Sequence, residues 1–238
     1  MRSILSLAVL AALLSPGATL PLCRAATADG VALAIVYDTS GSMRDQVRDE
    51  KGKPAPKYVI ANRALEAIAR RIQTFATNTA SGGVRTIQAG LFTFSDRGAK
   101  PAVPFGPFNA SALQSWARQF DRPQGGTPLG SAISEAARPV LASNLTRKHI
   151  LVLTDGENNI GASPATVMTD LKRQAEEKQT GLSLHFVAFD VDAKVFDAVK
   201  KLGATVVGAA NETQLNTQLE FILEKKILLE DEEPRTQK

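Results

Sequence analysis

The chain alternates continuous apolar runs with segments whose apolar residues recur every three or four positions. The two most apolar runs are Val31–Tyr37 and His149–Thr154, and an aspartate directly follows each. Runs of this kind are typical of strands that are buried on both faces of a sheet. The segment from Ile60 to Phe75 instead repeats its apolar residues at helical spacing, which predicts an amphipathic helix.

The rest of the chain continues the same alternation. Further strands are predicted at Thr86–Phe94, Leu184–Ala188 and Thr205–Val207, and further helices at Asn109–Phe120, Leu129–Ala142, Val167–Ala175, Phe196–Leu202 and Leu215–Leu223. The Pro- and Gly-rich stretch Arg97–Pro107 predicts one short edge strand or none. Strands separated by helices of this length need crossover connections. The predicted fold class is therefore α/β, with an open, mostly parallel, doubly wound sheet flanked by helices on both faces.

The N-terminus has the pattern of an export signal. A positive end at Met1-Arg2 precedes the apolar stretch Ile4–Leu14, and small residues suited to cleavage end at Ala28. We therefore expect residues 1–28 to be a signal peptide, residues 29–229 to form one domain, and residues 230–238 to be a charged tail. A retained signal acting as an anchor and lipidation of Cys23 are the alternatives. The expected location is the periplasm or the exterior of the cell.

Composition narrows the possible partners. The 238 residues carry a formal charge of +4, and both basic residues of the signal are lost on cleavage, so 26 Lys and Arg then face 24 Asp and Glu. This weak excess does not favour nucleic acid binding, which needs a concentrated basic face. No later stretch approaches the roughly 20 apolar residues of a membrane helix. Cleavage would also remove the single cysteine, which excludes structural disulfides and thiolate metal sites.

Oxygen-bearing side chains collect where the predicted strands end. Asp38-Thr39-Ser40-Gly41-Ser42 follows the first apolar run, and Asp155-Gly156-Glu157 follows the second. A third loop, residues 125–130, carries Thr127 between glycines that allow close backbone approach. In open α/β sheets, ligands bind outside the carboxyl ends of the strands. Carboxylate and hydroxyl donors without imidazole or thiolate suit Mg²⁺, Mn²⁺ or Ca²⁺ better than zinc or copper.

This set of residues resembles the metal-ion-dependent adhesion site of the von Willebrand factor type A (VWA) family, which includes the integrin I domains. Asp38, Ser40 and Ser42 match the Asp-x-Ser-x-Ser motif, Thr127 matches the separate threonine, and Asp155 matches the second aspartate. The resemblance implies a Rossmann-like VWA fold over the whole mature chain. It also implies that Ser40 and Ser42 bind the ion directly, that both aspartates act largely through water, and that Thr127 alternates between direct and indirect contact.

In that family, an Asp or Glu carboxylate of a partner protein completes the coordination of the ion, with Mg²⁺ as the expected metal. The sequence therefore favours an exported, metal-dependent protein-binding module that is not an enzyme. Two alternatives stay open: an accessory subunit of an exported enzyme or assembly complex, and a Mg²⁺-dependent hydrolase with Asp38 as nucleophile. Among neighbouring residues, Asp45, Asp49 and Glu50 are interpreted as solvated loop charges, and Glu157, Asn158 and Asn159 as loop polarity or rim residues. His149 and His185 are interpreted as packed imidazoles.

Overall fold

The computed structural model describes residues 27–78, 85–95 and 98–229. The predicted signal peptide with Cys23 lies almost wholly outside the described residues, as does the charged tail. The strands are β1 (Ala28–Tyr37), β2 (Gln46–Arg48), β3 (Pro54–Pro56), β4 (Ile87–Ser95), β5 (Gly98–Pro107), β6 (Leu145–Thr154), β7 (Ser183–Phe189) and β8 (Thr205–Ala209). The helices are α1 (Lys57–Thr77), α2 (Ala110–Gln119), α3 (Leu129–Ala142), α4 (Pro164–Glu177), α5 (Asp197–Lys201) and α6 (Glu212–Ile222).

Six strands form one sheet in the order β5-β4-β1-β6-β7-β8. All neighbouring pairs are parallel except β4 and β5, which are antiparallel. The chain first builds outward from β1 through β4 and β5, and then crosses to the other side of β1 to add β6, β7 and β8. The direction of winding therefore reverses between β1 and β6, and ligands of open α/β sheets bind at such a reversal. The predicted fold class is confirmed.

Alternating side chains of β1 enter two separate apolar layers. Leu33 and Ile35 pack with α1, α2 and α6 on one face of the sheet, whereas Ala34 and Val36 pack with α3, α4 and α5 on the other. Burial on both faces explains why this strand reads as an unbroken apolar run. The sheet is therefore held rigidly between two helical layers, and its polar strand ends are left for the loops. None of the helices described in residues 27–78, 85–95 and 98–229 has the length and apolarity needed to cross a membrane.

Three local features differ from the sequence-based expectation. Strand β5 extends over ten residues as a full antiparallel edge strand, where one short strand or none was predicted. Its prolines are tolerated because an edge strand needs hydrogen bonds on one side only. Strands β2 and β3 form a small antiparallel hairpin that was not predicted. The last helix also continues, as a π-helical turn, from Leu223 to Leu228.

Two histidines lie side by side in the apolar layer between the sheet and the C-terminal helix. His149 Nδ1 and His185 Nε2 are 3.2 Å apart, and the two residues are 1% and 3% exposed. Burial is the main cause that lowers the pKa of His149 to about 3 and that of His185 to about 4. Each histidine also faces a nearby cation, Arg147 for the first and Lys226 for the second. Both imidazoles are packed, as predicted.

This pair makes the fold sensitive to acid. Because the unfolded histidines titrate near pH 6.5, the unfolded chain binds more protons than the folded chain below that pH, and stability falls as the pH falls. Between pH 6.5 and 5 we expect a loss of about 2 kcal/mol per histidine. Denaturant unfolding across this range measures the loss. The double variant His149→Leu, His185→Leu should show a clearly flatter dependence, and an equally steep decline would assign the acid sensitivity to other groups.

Candidate metal centre

The loop after β1 fixes the carboxylate of Asp38 from both sides. Asp38 is fully buried, and its Oδ1 accepts a hydrogen bond from the backbone N–H of Ser40 at 2.8 Å. A hydrogen bond from the amide two residues ahead to the aspartate side chain closes an Asx-turn, which aspartate commonly forms. The other oxygen, Oδ2, accepts a hydrogen bond at 2.6 Å from the hydroxyl of Thr154, the last residue of β6. The orientation of Asp38 is therefore set jointly by the two neighbouring strands.

A chain of hydrogen bonds connects this loop to Asp155. The hydroxyls of Ser40 and Ser42 share a hydrogen bond of 3.0 Å, and the Ser42 hydroxyl donates to Asp155 Oδ1 at 2.8 Å. Both strands end at the same level, because Tyr37 pairs with Leu153 in the parallel register. The aspartates that follow are thus brought together at the carboxyl edge of the sheet.

Thr127 lies beside the same loop. It is buried, and a methyl group added to Gly156 would lie 3.8 Å from the Thr127 hydroxyl oxygen. The backbone N–H of Thr127 donates to the side-chain oxygen of Asn159 at 2.7 Å, and the backbone N–H of Asn159 donates to the Thr127 carbonyl at 3.1 Å. Asn158 accepts a hydrogen bond from the Gly130 N–H at 3.0 Å. The two asparagines therefore hold one loop against the other, and this role supports the interpretation as loop polarity.

Backbone hydrogen bonds join the remaining pair of loops. The N–H of Gly41 donates to the Gly125 carbonyl at 3.0 Å, and the N–H of Gln124 donates to the Thr39 carbonyl at 2.8 Å. The Thr39 hydroxyl donates to the carbonyl of Phe94 at the end of β4. All three loops that carry the five predicted site residues are thus connected, and the five residues converge on one small region.

Burial of two carboxylates so close together is electrostatically unfavourable. Burial first, and then the charge of Asp155, raise the pKa of Asp38 from 3.8 to about 6, although its hydrogen bonds with Ser40 and Thr154 oppose that rise. A raised carboxyl pKa means that the ionised form is poorly compensated by the protein alone. The site is therefore an environment in which a cation is stabilised.

Lys57, which the sequence analysis did not single out, supplies one such cation. Its ammonium lies 3.1 Å from Asp155 Oδ2 and 3.1 Å from Asp190 Oδ2. Burial lowers the pKa of Lys57, but both carboxylates outweigh burial, so the net shift is upward and the amine stays charged. Spacing along the chain gives no hint of this contact, because Lys57 and Asp155 are 98 positions apart.

The acidic residues that follow the serine motif contribute to the β2–β3 hairpin instead. Asp49 Oδ1 accepts the backbone N–H groups of Lys51 and Lys53, and Glu50 Oε1 accepts a hydrogen bond from Asn216 in α6. The interpretation of Asp49 and Glu50 as solvated charges is therefore incomplete, because their carboxylates organise the hairpin and its contact with α6.

The donor set fits a hard divalent cation. It consists of two carboxylates and three hydroxyls, all oxygen ligands, at the end of the sheet where the winding reverses. Across the described parts of the chain, no three His, Cys, Asp or Glu side chains are grouped so that they could hold a metal. A metal at this edge of the sheet would therefore depend on the hydroxyls of Ser40, Ser42 and Thr127 as much as on the aspartates.

Comparison with known proteins agrees with this architecture. The family profile described as von Willebrand factor type A domain matches residues 32–220. A search of curated proteins finds no significant match. Among solved structures, the PilB minor pilin of Streptococcus sanguinis superposes with a TM-score of 0.62 at 15% identity, covering 82% of this chain and 60% of the pilin chain.

Two further structures share the fold. Proximal thread matrix protein 1 of the mussel byssus gives a TM-score of 0.60 at 18% identity, covering 84% of this chain and 48% of the byssus chain. That structure is described with zinc in its metal-ion-dependent adhesion site (MIDAS) motif. The SpRpn10 VWA domain gives 0.58 at 11% identity over 81% of this chain and 94% of its own. This chain thus spans about half to three fifths of the pilin and byssus proteins.

The close approach of loops at Gly130 gives a test of how the site is held together. A methyl group at Gly130, the second residue of α3, would lie 2.0 Å from the carbonyl oxygen of Ala162, so Gly130→Ala must push the start of α3 away from the loop that contains Ala162. We expect a loss of about 2 kcal/mol in the free energy of unfolding, together with weaker metal binding. Gly181→Ala is the control, since nothing lies within 4 Å of the added methyl group. Equal unfolding energies for the two variants would contradict the proposed loop contact.

Proposed function

Because the chain belongs to the von Willebrand factor type A domain family, we propose that it is an exported, metal-dependent protein-binding module. Its divalent ion would attract an Asp or Glu carboxylate of a partner protein. The observation that carries this proposal is the hydrogen-bonded chain from Asp38 through Ser40 and Ser42 to Asp155, which joins oxygen donors from the ends of two neighbouring strands.

The residues that would hold the ion are Asp38, Ser40, Ser42, Thr127 and Asp155. When bound, the ion acts as a Lewis acid for an incoming carboxylate, and neutral hydroxyl ligands leave much of its charge available to that carboxylate. Thr154 orients Asp38, and Asn159 holds the Thr127 loop, so the donors are positioned before any ion arrives. Mg²⁺ is the proposed ion, with Mn²⁺ or Ca²⁺ as alternatives, and the zinc described in the byssus protein adds a fourth candidate for direct measurement.

A cleft next to the site offers a surface for the rest of the partner. It has a volume of about 430 Å³ and is lined by Thr39, by the rings of Trp116 and Phe120, and by the cations Lys100 and Arg122. The two rings stack with their centroids 4.9 Å apart. Aromatic surface between cations suits a segment that carries apolar and acidic side chains. A partner that provides a carboxylate to the ion would continue naturally into this cleft.

Hydrolysis is the less favourable alternative. Both carboxylate oxygens of Asp38 already accept hydrogen bonds, and the residue is fully buried, which is a poor state for a nucleophile. The two histidines of the chain lie in the core between the sheet and the C-terminal helix, so neither serves as a base for Ser40 or Ser42. An accessory subunit of an exported complex would use the same metal chemistry and differs only in having a dedicated partner.

The first test removes the central carboxylate. Asp38→Ala should weaken Mg²⁺ binding about 100-fold or more and abolish Mg²⁺-dependent capture of a partner from envelope extract, because the ion loses one of two charged contacts. Titration calorimetry measures the metal, and a pull-down with Mg²⁺ or chelator measures the partner. Asp170→Ala, which removes an exposed aspartate on α4, is the control. Metal affinity that is unchanged in Asp38→Ala would remove the proposed function.

A second variant separates the ion from the partner. Thr127→Ala should retain Mg²⁺ with about a tenfold loss in affinity, because both aspartates and both serines remain. Partner binding should fall more strongly, since the resemblance assigns to Thr127 the contact that changes when a carboxylate arrives. Circular dichroism verifies the fold. Calorimetry and the pull-down then compare the loss of Mg²⁺ affinity with the loss of partner binding. Equal losses of Mg²⁺ affinity and of partner binding in Thr127→Ala would argue against this division of roles.

A further inference from the structure

Lys57 is a buried cation placed directly at the proposed metal centre. The residue is 5% exposed, and its ammonium bridges Asp155 on one side and Asp190 on the other, each at 3.1 Å. Its backbone N–H donates to the carbonyl of Asp45, which fixes the start of α1 next to the serine loop. A charged side chain is seldom buried unless it is paired, and here both pairs are close.

The helix itself gives no reason for a lysine at this position. Lys57 is the first residue of α1, and the first turn of that helix contains no acidic residue. A positive charge at a helix N-terminus is opposed by the helix dipole. The two carboxylates, and not local helix stability, therefore account for the charge and its burial.

Asp190, the other carboxylate in contact with Lys57, has an uncommon backbone conformation. Its φ is +56°, in the left-handed region, and its N–H donates to the Ala209 carbonyl at 2.7 Å. Few non-glycine residues adopt this region, and aspartate is among those that tolerate it best. The end of β7 thus provides a second carboxylate for Lys57, so the ammonium stays anchored without depending on Asp155 alone.

We infer that Lys57 is a positioning residue that sets the charge of the metal centre, lowering its affinity for the ion and preserving the ion's attraction for a partner carboxylate. This inference rests on the proposed function. The formal charge of the centre is −2, because Lys57 offsets one of the three carboxylates of Asp38, Asp155 and Asp190. One divalent ion neutralises this charge. Without Lys57, the uncompensated charges of Asp155 and Asp190 would increase the attraction for the ion, but the loaded site would be negative and would repel the carboxylate of the partner.

The test uses charge variants with Mn²⁺ alone as the probe at pH 7.5, measured by calorimetry and electron paramagnetic resonance. Lys57→Met should bind Mn²⁺ about tenfold more tightly, and Asp190→Asn about tenfold more weakly. The double variant, which restores the formal charge of −2, should return to near the affinity of the unaltered protein. Lys172→Met is the matched control, because it removes an exposed lysine from α4 on the opposite face of the sheet.

Acetate serves as the carboxylate probe on the Mn²⁺-loaded proteins, with displacement of metal-bound water followed by proton relaxivity. Acetate should bind Lys57→Met about tenfold more weakly than the unaltered protein, so the two affinities change in opposite directions. A role of Lys57 in folding alone would weaken both. Circular dichroism verifies that each variant is folded, and the half-exposed Asp190 keeps the test available if Lys57→Met does not fold.

The outcomes distinguish this inference from the proposed function. Unaltered protein that binds no Mn²⁺ would overturn both. Unaltered protein that binds Mn²⁺, together with Lys57→Met that matches it in Mn²⁺ and acetate affinity, would overturn only the role of Lys57. Opposite changes in Lys57→Met, with restored Mn²⁺ affinity in the double variant, would support it.

Discussion

Two buried carboxylates at the carboxyl ends of neighbouring parallel strands require positive charge, and much of this structure is arranged around that requirement. Asp38 follows β1 and Asp155 follows β6, at the point where the winding of the sheet reverses. The apolar layers on both faces fix the strands, so the two carboxylates cannot separate to relieve their repulsion. Burial is the largest cause of the raised pKa of Asp38, and the charge of Asp155 raises it further.

The protein meets the constraint from two directions. On one side, Lys57 compensates Asp155 from the start of α1 and is itself anchored by Asp190. On the other side, the hydroxyls of Ser40 and Ser42 are hydrogen-bonded in a chain that reaches Asp155, and the Thr127 hydroxyl lies near Gly156 in the adjoining loop. Under the proposed function, the internal cation would leave a charge that a single divalent ion balances, and a carboxylate of another protein would then approach a neutral loaded site.

Much of the fold could be predicted from the sequence, because continuous apolar runs and helical stripes report burial directly. Asp38, Ser40, Ser42 and Asp155 could be located for a similar reason, since polar residues directly after buried strands meet at one edge of a parallel sheet. Thr127 precedes α3 and was assigned to the site through the resemblance to the VWA family. Strand β5 was underestimated, because its prolines suggest a loop unless the strand is known to lie at the edge.

The place of Lys57 at the site could not be predicted, because it depends on ion pairs with Asp155 and Asp190 that only the folded chain creates. The same holds for the hairpin of β2 and β3, whose Glu50 is held by Asn216 from the C-terminal helix. Local pattern identifies elements and the ends of strands, whereas long-range ion pairs and hydrogen bonds between loops leave no periodic trace in the sequence. These contacts adjust the chemistry of a site that the pattern can only locate.

The most direct measurement of the central claim is anomalous diffraction from crystals of the protein grown with Mn²⁺. The account predicts one strong anomalous peak at the carboxyl edge of the sheet, within coordination distance of the Ser40 and Ser42 hydroxyls and bordered by Asp38, Thr127 and Asp155. A peak located elsewhere on the protein, or no peak at this edge at a saturating Mn²⁺ concentration, would contradict it.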